Sequence, residues 1–121
     1  MLVEFVEAPL FTRLLGDYLT DDEYHLLQLA LSQNPEMGDV VPGTGGVRKL
    51  RWRDSRRGQG RRGGLRVIYF HLRSDDQIWM LTIYGKDEAE DLTMGERATL
   101  RRAVEAEKEA RRRARRAGPR R

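Results

Sequence analysis

The chain has 121 residues, 39% hydrophobic and 35% charged, with a net charge of +4 and no cysteine. That length holds one domain with a single modest core, and the lack of cysteine excludes disulfides, thiolate metal sites and a cysteine nucleophile. No apolar run approaches the roughly 18 residues that span a bilayer, and the opening MLVEFVEAPLF carries Glu4 and Glu7 without the basic lead-in of a signal peptide, so a cytoplasmic protein without a membrane partner is expected.

Leu2–Val6 reads as a short strand, and Pro9 then opens a helix with Leu10, Leu14 and Leu15 on one side. Thr20-Asp21-Asp22-Glu23 is a capping box, with Leu19 and Tyr24 placed as a hydrophobic staple across it. Tyr24, Leu27, Ala30 and Leu31 recur at helical spacing until Asn34-Pro35 stops the helix. A Gly/Pro-rich connector, Val40–Gly46, leads into three apolar runs rich in β-branched and aromatic residues: Val47–Arg53, Leu65–Leu72 and Ile78–Tyr84. Joined by the basic loop Asp54–Gly64 and the turn Ser74-Asp75-Asp76, they read as an antiparallel meander. A second capping box, Thr93-Met94-Gly95-Glu96, starts a last helix with Leu100, Ala103 and Val104 inward. Its apolar pattern fades from about Glu105, where the helix is expected to leave the body. The architecture is α+β.

Charge is segregated along this order. Residues 1–39 hold one basic residue against eight acids, whereas 40–72 hold nine against Asp54 alone. Acids lead again, ten to six, over 73–110, and the last eleven residues carry seven arginines and no acid. Such blocks point to one zone that faces a polyanion, followed by a basic tail.

Side chains alternate across a strand, so Lys49 and Arg51 share a face opposite Leu50 and Trp52. The meander brings them beside Arg66, with Lys86 at the rim. Four converging cations repel one another unless an anion sits among them. Lys and Arg also serve simply to keep exposed strands soluble, and on the residues alone that plainer reading stays open. The Gly/Arg loop with Arg56, Arg57, Arg61 and Arg62 suits phosphate contacts that position nucleic acid without reading its sequence. Gly43-Thr44-Gly45-Gly46 resembles a phosphate loop, but a strand follows it and no Gly-Lys-Ser/Thr ending is present. His25 and His71 are isolated, and Asp87, Glu88, Glu90 and Asp91 read as a helix approach, not a metal cage. No metal and no cofactor is expected.

The ordered series Gly43-Thr44-Gly45-Gly46-Val47-Arg48-Lys49-Leu50-Arg51, Arg61-Arg62-Gly63-Gly64-Leu65-Arg66-Val67-Ile68-Tyr69 and Leu81-Thr82-Ile83-Tyr84-Gly85-Lys86 resembles the HigB-type toxins of the RelE/ParE superfamily. Tyr18–Tyr24, Asn34-Pro35 and Gly38-Asp39 are similar to that group as well, so the likeness runs over most of residues 2–100. It implies a compact RelE-like fold, an antiparallel-rich sheet flanked by helices. The toxin domain would occupy residues 1–110, with 111–121 as a flexible Arg-rich tail outside it.

It further implies a metal-independent, ribosome-dependent endoribonuclease that cuts messenger RNA, restrained by a cognate antitoxin. That antitoxin is expected to be HigA-like, with a helix-turn-helix domain through which operator DNA is bound. The family's catalytic positions fall on Lys49, Arg51, Arg66 and Lys86, with Tyr84 and Tyr69 as weaker candidates; the chemistry of RNA cleavage then suggests Lys49 as base and Lys86 as acid or electrostatic aid. Arg48, Arg56, Arg57, Arg61, Arg62 and Tyr69 are implied RNA contacts. Two departures stand out: Asp87 occupies a position where some relatives carry arginine, and no tyrosine lies beyond Tyr84. A ParE-like inhibitor of DNA gyrase and a non-catalytic RNA-binding module are the alternatives.

Overall fold

The computed structural model describes residues 3–56, 61–89 and 91–117. In chain order the elements are β1 (Glu4–Glu7), α1 (Pro9–Tyr18), α2 (Asp21–Gln33), β2 (Asp39–Val40), β3 (Arg48–Asp54), β4 (Arg61–Leu72), a 3-10 turn (Arg73–Asp75), β5 (Gln77–Gly85) and α3 (Met94–Ala117). One five-stranded sheet runs in the order β1-β5-β4-β3-β2. β1 lies parallel to β5, and every other pairing is antiparallel. The expected α+β class and the β3–β4–β5 meander are both present.

Local chemistry explains the helix starts. The Thr20 hydroxyl accepts from the Glu23 amide at 3.2 Å, and the Glu23 carboxylate accepts from the Thr20 amide at 2.8 Å. Thr93 and Glu96 repeat the exchange ahead of α3, at 3.0 and 2.8 Å. Each box satisfies amides that a helix start otherwise leaves bare.

The sheet separates two cores. On one face Phe11, Tyr18, Leu19, Leu27 and Leu31 from α1 and α2 pack on Leu50, Leu65, Val67, Tyr69, Ile78, Met80 and Ile83. On the other, Val47, Ile68, Phe70 and Trp79 meet Leu92 and Val104, with Leu100 and Tyr84 beside them. The first face is the helix-packed side. The second is only part-covered, by α3 and the segment before it.

Three elements differ from the sequence expectation or add to it. β4 begins at Arg61, so the ladder takes in residues expected in the loop, with Arg61 opposite Asp54 across an irregularity. Gly43-Thr44-Gly45-Gly46 is a structural turn. Gly43, Gly45 and Gly46 all take positive φ, while the buried Thr44 hydroxyl donates to Val41 O at 2.6 Å and accepts from Val47 N at 3.1 Å. Third, α3 runs on through Ala117. Its apolar face does fade after Val104, but cations lying on aromatic rings replace it. Lys108 lies over Phe70 at 5.1 Å and Arg111 over Trp79 at 5.0 Å. Arg111 and Arg115 also reach Asp75, at 3.4 and 3.3 Å. Pairs one turn apart, such as Glu107 with Arg111 and Glu109 with Arg113, support the exposed side of the helix. Residues 118–121 of the expected tail lie outside the described residues.

All four tyrosines ionise above the ordinary phenol range, with burial as the largest cause in each case. Tyr18, whose hydroxyl donates to Glu88 at 2.7 Å, is pushed up to about 12. The fold therefore favours the neutral phenols. Their stabilisation is complete below the unfolded value of about 10 and is lost as pH rises through the folded values. Tyrosinate absorbance of the native protein should show no titration step near pH 10. The chain unfolded in guanidinium should show all of it there, and unfolding should set in as pH climbs toward about 12.

Candidate nucleic-acid interface

Pairing across β3, β4 and β5 assembles the cationic face. Arg51 stands directly opposite Arg66, and Arg66 directly opposite Tyr84, so three strands contribute one row. Lys49 lies two residues along β3 from Arg51, on the same face and opposite Ile68. Same-face neighbours on a strand are about 6.6 Å apart, and directly opposed Cβ atoms about 5 Å apart. The four side chains therefore occupy one small area. Lys86 continues the β4–β5 ladder by one bond, its amide donating to Gly64 O at 2.8 Å, which holds it at the Arg66–Tyr84 end.

Tyr84 reaches this face because β5 is irregular. Ile68 pairs with Thr82 and Tyr69 with Met80, leaving Leu81 as an extra residue. Strict alternation from Ile78 and Met80 would turn Tyr84 toward the helix-packed core. The extra residue turns it back, a use to which β-bulges are commonly put.

The environments within the row differ. Arg51 is exposed, and no acid among the described residues pairs with it. Arg66 is 6% exposed and donates to Leu65 O at 3.3 Å. Like charges directly opposite one another destabilise a sheet, so this pair suits a face that receives an anion. Burial raises the Tyr84 phenol, and Asp91 adds to this, while Arg66 and Arg97 pull it down. Lys49 donates to Asp91 Oδ1 at 3.1 Å. Asp91 is held below its ordinary carboxylate range, first by the Leu92 amide that it accepts from and next by Lys49. Arg97 of α3 binds the other Asp91 oxygen at 3.2 Å. Neither Asp91 nor Arg97 stands out in the sequence as part of a site, because nothing local marks an ion pair between residues 42 positions apart.

Several other candidates stand elsewhere. Tyr69 is on the helix-packed face and fully buried; its hydroxyl accepts from Gly38 N at 2.9 Å and donates to Pro35 O at 2.7 Å. It is a strut for the segment after α2 and has no surface for RNA. Arg48, beside it, donates to Gly38 O at 2.7 Å and to Glu36 O at 3.3 Å. Arg56 grips Asp54 through two nitrogens, at 3.0 and 2.9 Å, and stacks over Tyr18 at 4.6 Å. These three are tied into the fold on the side away from Lys49 or at the sheet end. Arg57 and the side chains of Arg61 and Arg62 lie outside the described residues. Among the described residues no group of three or more His, Asp or Glu stands together as a metal site, and no helix is long and apolar enough to cross a membrane.

No family model matches the chain. Among solved structures, the chain is similar to one in the intact E. coli RelBE toxin–antitoxin complex. The match covers 69% of this chain and 96% of that one, at 10% identity and a TM-score of 0.50. The fold is RelE-like. A structure of an E. coli RelE toxin double mutant in the free state covers 74% of this chain and 90% of its own, at 12% identity and a TM-score of 0.49. Within the RelE-like fold, the cationic row lies on the sheet face that α3 part-covers, at the end away from the Asp75 clamp, with Arg51 exposed and Arg66 largely buried.

Proposed function

We propose that the protein is the toxin of a toxin–antitoxin pair, an endoribonuclease that cuts messenger RNA on the ribosome and so arrests translation. The observation that carries this reading is the direct opposition of Arg51 and Arg66, flanked by Lys49 and Tyr84 on one sheet face. The RelE-like fold supports it, as does the HigB-like order of motifs.

In such a cleavage the 2′-oxygen attacks phosphorus as its proton passes to solvent water. The P–O5′ bond breaks as the 5′-oxygen gains one, which leaves a 2′,3′-cyclic phosphate. Negative charge grows on the non-bridging oxygens between these events. Arg66 is the main clamp for that charge, because a guanidinium stays protonated and grips two oxygens at once. Arg51 opposite adds a second cation. Lys49, ion-paired with Asp91, acts as an electrostatic group here, not as the base expected from the sequence. Lys86 at the exposed rim is the donor for the leaving oxygen. The chemistry calls for no metal. By the same reading the partners are the ribosome, messenger RNA and a cognate antitoxin, HigA-like with a helix-turn-helix domain that carries the pair to operator DNA. Residues 1–110 form the toxin unit.

Mapping transcript ends after induction tests the proposal. New ends within translated codons, reproduced by purified protein only when ribosomes are added, are the expected result. Loss of plasmid supercoiling with intact transcripts would instead assign a gyrase inhibitor. RNA binding with neither effect would assign a non-catalytic module.

A further inference from the structure

Asp91 sits in the cationic face as a bound anion would. One of its oxygens is 3.1 Å from Lys49 Nζ and the other 3.2 Å from Arg97 Nη2. A carboxylate bridging two cations through separate oxygens has the charge and the span of one edge of a phosphodiester. Around it stand donors that the carboxylate does not use. Tyr84 Oη and Arg97 Nε are both inaccessible to solvent, and neither has a hydrogen-bond partner among the described residues. Buried polar atoms of this kind are ordinarily satisfied. The Tyr84 phenol is raised by burial and in part by Asp91, and lowered by Arg66 and Arg97.

The arrangement is built from distant parts of the chain. Lys49 comes from β3, Tyr84 from β5, and Arg97 from the first turn of α3, where its Nη1 also reaches Pro42 O at 3.4 Å. Asp91 comes from the linker before α3. Its side chain is 45% exposed, whereas those of Lys49 and Arg97 are 23% and 24% exposed. The cations are thus the better-packed partners and the carboxylate the looser one. Ion pairs at that exposure are weak, so an incoming anion displaces Asp91 at little cost.

We propose that Lys49 and Arg97 form a seat for a second RNA phosphate beside the Arg51–Arg66 pair, and that the Asp91 carboxylate fills this seat in the free protein and leaves it when RNA binds. A phosphate there would sit one nucleotide step or so from the one held by Arg66, and it would offer the Tyr84 hydroxyl an acceptor. Arg97 becomes an RNA-binding residue. Asp91 becomes a competitor built into the chain, whose displacement lowers affinity for any weakly held anion. This inference rests on the reading of the face as an RNA site.

Asp91→Asn tests it. The amide oxygen can still accept from the Leu92 amide, which protects the fold, but the charge is gone. A 2′-O-methyl oligoribonucleotide, which cannot be cleaved, serves as the probe. Asp91→Asn should bind it about 3- to 10-fold tighter than wild type, the scale of the weak ion pairs that hold Asp91 in place. Arg97→Gln should weaken binding, and in that background Asp91→Asn should lose most of its gain, since residues in contact couple. An equal gain in both backgrounds would mean a general charge effect and would overturn the seat, as would no gain at all.

Inorganic phosphate supplies a readout that does not depend on RNA. Titrated into the wild type, it should shift the Arg97 Nε–Hε resonance, and it should do so at lower concentration in Asp91→Asn. Phosphate shifts without oligonucleotide binding by either protein would leave the seat standing and reject the RNA reading. Oligonucleotide binding that ignores both substitutions, with Arg97 silent to phosphate, would reject the seat alone.

Discussion

Arg66→Ala should lower transcript cleavage by about 100- to 1,000-fold, the usual cost of removing one preorganised donor from a site where charge develops. Growth arrest on induction should disappear with it. The fold should survive, because removing Arg66 also relieves its repulsion with Arg51 directly opposite. Arg66 is 6% exposed, however, so the alanine leaves a gap. Arg66→Lys is the control that separates chemistry from packing: it keeps the stem and the charge but not the planar two-point grip. Thermal unfolding close to wild type in Arg66→Lys, with cleavage reduced at least about tenfold, is the expected pattern, since lysine meets the phosphate as a point charge. Full cleavage by either variant would remove Arg66 from the site. Parallel losses of cleavage and of native circular dichroism in both would reduce it to a packing residue.

The parts of the molecule that depend on near neighbours are legible in the sequence. Both capping boxes can be read from four residues each, because the bonds that make them span three positions. The period of two along β3 separates Lys49 and Arg51 from Leu50 and Trp52, and the sheet honours that separation. The same rule carries further than the motif likeness does. Arg48 is one residue from Lys49, and Tyr69 three from Arg66, so both must lie on the opposite face. Tyr69 is buried there and Arg48 half-buried. The motif likeness groups them with residues they do not meet.

What escapes the sequence is what long-range geometry decides. The extra residue at Leu81 changes which way Tyr84 points, yet Leu81 carries no glycine or proline signal to announce it. The Lys49–Asp91–Arg97 bridge joins three segments and turns an apparently generic acidic stretch into part of the cationic face. The length of α3 escapes for a related reason. Fading apolar periodicity normally marks the end of a packed helix. Here Phe70 and Trp79 on the sheet accept cations instead of aliphatic side chains, and Asp75 holds the next turn.

Tyr69→Ala separates the two ways of placing that residue. An RNA-facing tyrosine could be truncated with little effect on stability and a loss of affinity. The structure requires the reverse. The ring is fully buried among Leu50, Val67 and the α2 side chains, and its hydroxyl bridges Gly38 N and Pro35 O. Gly38 itself stands so close that a Cβ there would come within 2.9 Å of the ring. Truncation therefore empties a large core volume, at a cost of about 3–5 kcal/mol by analogy with other buried aromatics. It also leaves the buried Gly38 amide without its acceptor, which adds to the loss. For a chain of this size the midpoint of thermal unfolding should fall by about 10–20 °C. Tyr69→Phe keeps the ring and loses only the bridge, so its drop should be smaller, about 1–3 kcal/mol. Below its lowered midpoint, Tyr69→Phe should bind the uncleavable oligonucleotide as the wild type does. A wild-type midpoint in Tyr69→Ala, combined with weakened oligonucleotide binding, would put Tyr69 back on the RNA face and overturn the two-core arrangement of the sheet.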